Sequence, residues 1–187
     1  MGGRLVSSLI VGLKSGLECM VSYWREAYDP VRQDRLTRVY NRNEFERRRR
    51  RSDGWSLVLV DLDDFKAIND SRGHGAGDLV LAAVASQIRR GVGDEVYRIG
   101  GEEFAVLVHA PLLVAVGVAR RIRRAVAALQ LPGSLRVTAS VGVARQAPGE
   151  DPDACFRRTD TALYRAKRRG KNRVVASVAR TDAALPA

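Results

Sequence analysis

Two groups of carboxylates stand where reactions are run rather than where solubility is served. Asp61, Asp63 and Asp64 directly follow or end the apolar run Trp55-Ser-Leu-Val-Leu-Val60, and Glu102 and Glu103 directly follow the pair Gly100-Gly101. A short apolar run bounded by turn residues is the pattern of a buried strand, and two strand-like runs, Glu95 to Ile99 and Phe104 to Val108, joined through a Gly-Gly pair are the pattern of a tight hairpin. If the hairpin lies beside the first strand, Asp61 and one of the glutamates face a common point across strands about 5 Å apart. Such a donor set suits a hard divalent cation: magnesium takes a couple of carboxylates together with substrate phosphates, and two such ions can hold the attacking and leaving oxygens of a phosphoryl transfer. Successive strand residues face opposite ways, so Glu102 and Glu103 cannot share one role unless the turn twists. Gly100-Gly101 also clears side chains from a place where a nucleotide backbone could approach. With only two histidines, His74 and His109, a His-based metal cluster or nucleophile triad is poorly supplied, and carboxylates must carry any acid, base or metal role.

The elements that must position these groups are legible in outline. A short helix over 43–51 precedes the first strand, and helical stretches over 64–69 and 77–89, with Gly73 and Gly75 between them, follow it. Beyond the hairpin come a helix over 112–129, a strand over 135–143, a helix over 152–169 and a last strand over 173–175. The order predicts an α/β (α+β) domain: a central mixed sheet of about five strands with a β-hairpin inside it, flanked by helices. Upstream, Val6, Ile10, Leu13, Leu17, Met20 and Trp24 alternate in steps of four and three, the seam of an amphipathic helix that either pairs with its twin or packs on its own domain. Gly12 and Gly16 weaken that helix, and a linker with Pro30 follows.

A chain of 187 residues is expected to hold one domain of about 150 residues with a short extension and no separate sensor. Hydrophobic residues at 45% exclude a disordered or fibrous class. Cys19 and Cys155 lack metal-ligand spacing and read as reduced thiols. Lys14 and Glu18 interrupt the N-terminal apolar stretch, so neither a signal peptide nor a membrane span is expected, and the reading is cytoplasmic. The net charge of +11 points to polyanionic partners. The run Arg47 to Arg51 reads first as a solvated face, with nucleic-acid or lipid contact as the alternative.

Arg98-Ile-Gly-Gly-Glu-Glu-Phe104 resembles the signature hairpin of GGDEF domains, the diguanylate cyclases, in its GGEEF form. Asp61-Leu-Asp-Asp-Phe-Lys66, Ile68-Asn69-Asp70, Gly73-His74 and Gly77-Asp78 match the family's second long motif at its spacing. Asp34-Arg-Leu-Thr37 with Asn41-Arg42 resembles its opening motif, Ser140-Val-Gly-Val-Ala144 its central strand, and Asp160-Thr-Ala-Leu-Tyr164 with Ala166-Lys167 and Gly170-Lys-Asn172 its closing helix. The resemblance implies a catalytic domain over 33–176, an N-terminal helix and linker over 1–32 and a flexible tail over 177–187.

It implies a nucleotidyl-cyclase or polymerase-palm-like fold and condensation of two GTP into cyclic di-GMP with release of two pyrophosphates. Asp61 and Glu102 would be magnesium ligands, with manganese an alternative ion, helped by the backbone carbonyl of Leu62. Glu103 would be the general base or a further metal ligand near the ribose 3′-hydroxyl. A carboxylate of ordinary pKa near 4 is a weak base for an alcohol, so the metal has to do most of the activation. Phe65 and Lys66 would wrap the phosphates through backbone N–H groups, Lys167 and Lys171 would reach the β and γ phosphates, and Gly100 and Gly101 would admit the substrate. Asn69 and Asp78 would read guanine, whose N1–H and amine suit a carboxylate, and His74 would be structural. Each domain holds one GTP, so a facing homodimer is implied, with the N-terminal helix the candidate for joining the pair.

Two departures stand out. The family's Arg-x-x-Asp product-inhibition site keeps Asp94, but its arginine position is Gly91, and Arg90 is one residue off. Bidentate guanidinium pairing is position-sensitive, so feedback there is expected to be absent or weak. In the opening motif Arg38 and Val39 replace the usual Gly and Leu. Three readings compete: an active cyclase, a catalytically silent GTP- or cyclic di-GMP-binding module, and a nucleic-acid binder. Aromatic residues at only 6% leave the last without stacking platforms, and no nucleic-acid partner is expected.

Overall fold

The structure, a computed structural model, describes residues 29, 31–51, 54–93 and 95–178. Among them the chain runs β1 (Tyr40–Asn41), α1 (Arg42–Arg49), β2 (Ser56–Leu62), α2 (Phe65–Arg72), α3 (His74–Val92), β3 (Val96–Arg98), β4 (Glu103–Val108), α4 (Leu112–Ala127), β5 (Ala139–Arg145), α5 (Pro152–Arg168) and β6 (Val174–Ser177). The strands form one mixed sheet in the order β1-β3-β4-β2-β5-β6. β2 is antiparallel to both β4 and β5, while the outer pairs β1-β3 and β5-β6 are parallel.

All of β2 is buried, which is why it reads as a continuous apolar run. Val58, Val60 and Leu62 face a core shared with α2, α3 and α4, whereas Leu57 and Leu59 face a second core with Phe45 of α1 and Cys155 and Leu163 of α5. Helices therefore cover both faces of the sheet. On the second face α5 approaches β5 so closely that a Cβ on Gly142 would lie 2.5 Å from the backbone nitrogen of Leu163. Thr159, Ala162 and Ala166 supply the narrow helix surface that this approach needs.

The expected sheet of about five strands gains a sixth, β1, whose two residues are too short to carry a periodic pattern. The run over 135–143 becomes a strand only from Ala139, because its partner β2 ends at Leu62, opposite Ala139, and offers no ladder to Leu135 or Arg136. The break between α2 and α3 is Gly73 alone, at φ +81°; His74 and Gly75 already belong to the first turn of α3.

The arginine run Arg47 to Arg51 is a solvated face only in part: Arg47, Arg50 and Arg51 are exposed, whereas Arg48 is half-buried and Arg49 buried. Arg47 and Arg48 both grip Glu44, at 2.5 and 2.7 Å, and Arg48 also reaches Glu95 at 2.6 Å while lying over the Tyr40 ring. Arg49, 4% exposed, bonds Glu46 and Asp153, and Arg50 joins it on Asp153 at 3.1 Å. Arg48 and Arg49 thus tie α1 to Glu95, just before β3, and to α5. The N-terminal seam and Asp94 lie outside the described residues. Among the described residues no helix is long and apolar enough to cross a membrane.

Candidate active site

Both carboxylate groups arrive at one end of the sheet. In the β2–β4 ladder Asp61 stands directly opposite Glu103, so their side chains share a face, the one covered by α5. Glu102 lies one residue outside the ladder, in the turn, and its carbonyl accepts the Leu62 N–H at 3.3 Å. The expected division of the two glutamates follows: one is in register with Asp61, the other caps the strand end. Glu103 folds back so that its carboxylate rests against Gly100.

α5 contributes the counter-charge. Its buried stripe of Cys155, Thr159, Ala162, Leu163 and Ala166 leaves Lys167 at the stripe's edge, with Nζ 2.7 Å from Asp61 Oδ2. A cleft of about 300 Å³ opens here, lined by Glu103, Asp160, Thr161, Leu163, Tyr164 and Lys167. Burial pushes the Asp61 carboxyl up, against the pull of Lys167. Burial likewise raises Glu102, and the charge of Asp61 raises it further. Two carboxyls whose charged forms are disfavoured, with one lysine paired to Asp61, form a site that a divalent cation would relieve. Among the described residues no three His, Cys, Asp or Glu side chains form a closed metal cage. An all-oxygen pair with room for phosphate fits magnesium, which keeps its other positions for water and substrate.

The remaining expected residues fall around this end. Phe65 is buried at the start of α2, while Lys66 is exposed beside it. Asn69 packs its carboxamide against Gly77, leaving no room for a Cβ there, and so sits beside the exposed Asp78 across the α2–α3 pair. His74 is exposed. Gly170 ends the α5 region at φ +103°, and Lys171, just past it, places Nζ 2.5 Å from Asp64 Oδ1. Lys167 and Lys171 therefore flank the strand end from two sides rather than sharing one helix face. Gly91 lines a separate cleft of about 400 Å³ with Glu95, His109 and Arg121 among its walls.

Two links have no counterpart in the sequence reading. Arg98 bonds Asp34 of the opening turn at 3.1 Å and the Gly101 carbonyl at 2.7 Å, so the hairpin tip is tied to the segment that leads into the domain. Asp63 turns away from the cleft, into β5 and the loop after α5. Both partners stand in the motifs, but pairing across 64 and 109 residues carries no local signal.

The family description "Diguanylate cyclase, GGDEF domain" matches residues 31–173. The chain belongs to the GGDEF family. Within it, the chain is 47% identical over 126 residues to diguanylate cyclase DgcM of Escherichia coli K12, covering 66% of this chain and 31% of that protein. It is 41% identical over 155 residues to diguanylate cyclase DgcP of Pseudomonas aeruginosa, covering 75% and 23%. The chain thus spans less than a third of the length of these curated relatives. Among solved structures it resembles the coiled coil and GGDEF domain of DgcB from Caulobacter crescentus in complex with c-di-GMP, with TM-score 0.75 and 28% identity over 93% of this chain and 100% of that one. Diguanylate cyclase SiaD of Pseudomonas aeruginosa, in complex with its activator SiaC, matches with TM-score 0.77 and 30% identity over 93% and 71%.

Proposed function

We propose that this GGDEF domain is an active diguanylate cyclase, joining two GTP into cyclic di-GMP. The observation that carries the reading is the register of Asp61 against Glu103, with Glu102 at the strand end and Lys167 paired to Asp61. In each of two condensations a ribose 3′-oxygen bonds to the α-phosphorus of the other nucleotide, the bond to the β-phosphate's bridging oxygen breaks, and pyrophosphate leaves. Asp61, Glu102 and the Leu62 carbonyl would hold magnesium or manganese, and the ion when bound supplies Lewis-acid polarisation of the phosphate and acidification of the attacking hydroxyl. Glu103 receives the 3′-hydroxyl proton at its carboxylate. Lys167 and Lys171 bind the β and γ phosphates, and the backbone N–H groups at Phe65 and Lys66, at the N-terminus of α2, take phosphate oxygens. Asn69 and Asp78 select guanine: an adenine N1 would set an acceptor against the Asp78 carboxylate.

One domain holds one GTP, so turnover needs two chains face to face, and the amphipathic segment within 1–32 is our candidate for joining them. The catalytic domain is taken to start at 33 and to run through β6, which ends at Ser177, one residue past the expected boundary of 176, and the reaction is assigned to the cytoplasm, where GTP is. With glycine at position 91 in place of a guanidinium, product feedback at the Gly91–Asp94 position is weak or absent. Incubating the purified chain with GTP and magnesium and separating the nucleotides tests the reading: cyclic di-GMP from GTP and none from ATP is expected. GTP bound but unconverted by a dimer would make the chain a silent binding module.

A further inference from the structure

Of the three aspartates at the end of β2, Asp63 is the one with no part in the chemistry above. Its carboxylate is buried and accepts three hydrogen bonds: from Thr138 Oγ1 to Oδ2 at 2.6 Å, from Ser140 Oγ to Oδ1 at 2.7 Å, and from the Asn172 backbone N–H to Oδ2 at 3.0 Å. The first two fasten it to the start of β5. The third reaches the loop that carries Lys171.

That loop is held in an uncommon shape. Lys171 and Asn172 are both left-handed, at φ +59° and +44°, and neither is glycine. Asparagine visits this conformation more readily than other L-residues, but as a single residue; two in succession, one of them a lysine, persist only where the surroundings impose them. The imposing contacts are Lys171 N–H to the Ala166 carbonyl at 3.2 Å, Arg123 Nη1 to the Asn172 side-chain oxygen at 3.1 Å, and the bond to Asp63. Of these acceptors and donors only Asp63 is both buried and charged. Its neighbour Asp64 meets the ammonium of Lys171 itself. Consecutive aspartates thus hold the same loop by its backbone and by its side chain.

We propose that Asp63 is a positioning residue for the triphosphate: by anchoring the Asn172 N–H it locks the left-handed pair and aims Lys171 at the β and γ phosphates. The inference rests on the GTP-cyclase reading of the cleft. A carboxylate suits the role because three donors converge on it; an asparagine would turn an N–H toward one of them.

The test separates the phosphate tail from the rest of the nucleotide. Affinities are measured for α,β-methylene-GTP, whose P–C bond blocks condensation, and for GMP, which lacks the β and γ phosphates, with wild type, Asp63→Ala, Lys171→Met and the double variant. Asp63→Ala is expected to weaken the triphosphate about 10-fold and GMP less than about 2-fold, and the double variant is expected to bind no worse than Lys171→Met alone, the signature of two residues acting through one contact. If the alanine variant loses its far-ultraviolet spectrum, Asp63→Asn is read instead, with a loss of about 3-fold confined to the triphosphate. Equal weakening of both nucleotides, losses that multiply in the double variant, or no loss at all would overturn the proposal. Wild type that binds neither nucleotide would overturn the cyclase reading beneath it.

Discussion

The chain concentrates positive charge in two places that look alike in sequence and differ in kind. At the end of α1 and its C-cap, Arg47 to Arg50 are each matched to Glu44, Glu46, Glu95 or Asp153, several acids being shared between two guanidiniums. At the strand end, Lys167 and Lys171 each meet one acid, Asp61 or Asp64, and both lysines stay about 40% exposed. Arg49 by contrast is 4% and Arg48 26% exposed, while Arg47 and Arg50 are as open as the lysines and differ from them in sharing their acids. The planar, multidentate arginines are mortar, while the lysines are point charges that can pass from a carboxylate to a phosphate. A net charge of +11 is therefore a poor guide to partners until each charge has been located.

The sharpest way to break the contrast is at the acids. Glu103→Gln is expected to lower cyclic di-GMP production by about 10²–10⁴-fold, measured by product chromatography, with an unchanged melting temperature. Next in size is a paired stability measurement. Arg49→Met removes a buried cation from Glu46 and Asp153 and should cost about 1–3 kcal/mol in chemical denaturation. Lys171→Met, which breaks an exposed pair, should stay within about 0.5 kcal/mol of wild type. Comparable losses in both would erase the distinction between mortar and exchangeable charge.

Acid should separate the regions too. Hydrogen bonds from Arg47, and then from Arg48, hold Glu44 down to about 2 from its ordinary 4.5. A carboxyl lowered by folding stabilises the fold above its ordinary value and loses that contribution as pH falls toward the folded one, here between about 4.5 and 2. Glu44→Gln should flatten that limb of a melting-temperature profile. Glu102 is raised by burial and by Asp61, so its ionisation works against the fold as pH rises through its titration. Glu102→Gln should for that reason slightly raise the melting temperature at neutral pH, while activity falls.

Much of this site could be read from the residues alone, because its parts are local. Period-two alternation put Asp61 and a glutamate on one face, and Gly100-Gly101 marked the hairpin. The matches of Arg49 to Asp153, 104 residues away, and of Asp63 to Asn172 carry no local pattern. They depend on α5 lying against β5, which Gly142 permits and no charge pattern announces. A strand is expected over 135–143, yet its first half has no ladder because β2 stops at Leu62.

The central claim is that the end of β2 and the hairpin work as one catalytic unit, and a double-variant rate measurement tests it most directly. Initial rates of cyclic di-GMP formation from GTP are compared for wild type, Asp61→Asn, Glu103→Gln and the double variant. One shared site predicts that the double variant is no slower than the slower single variant. Losses that multiply, or product formed at the wild-type rate by either single variant, would contradict it.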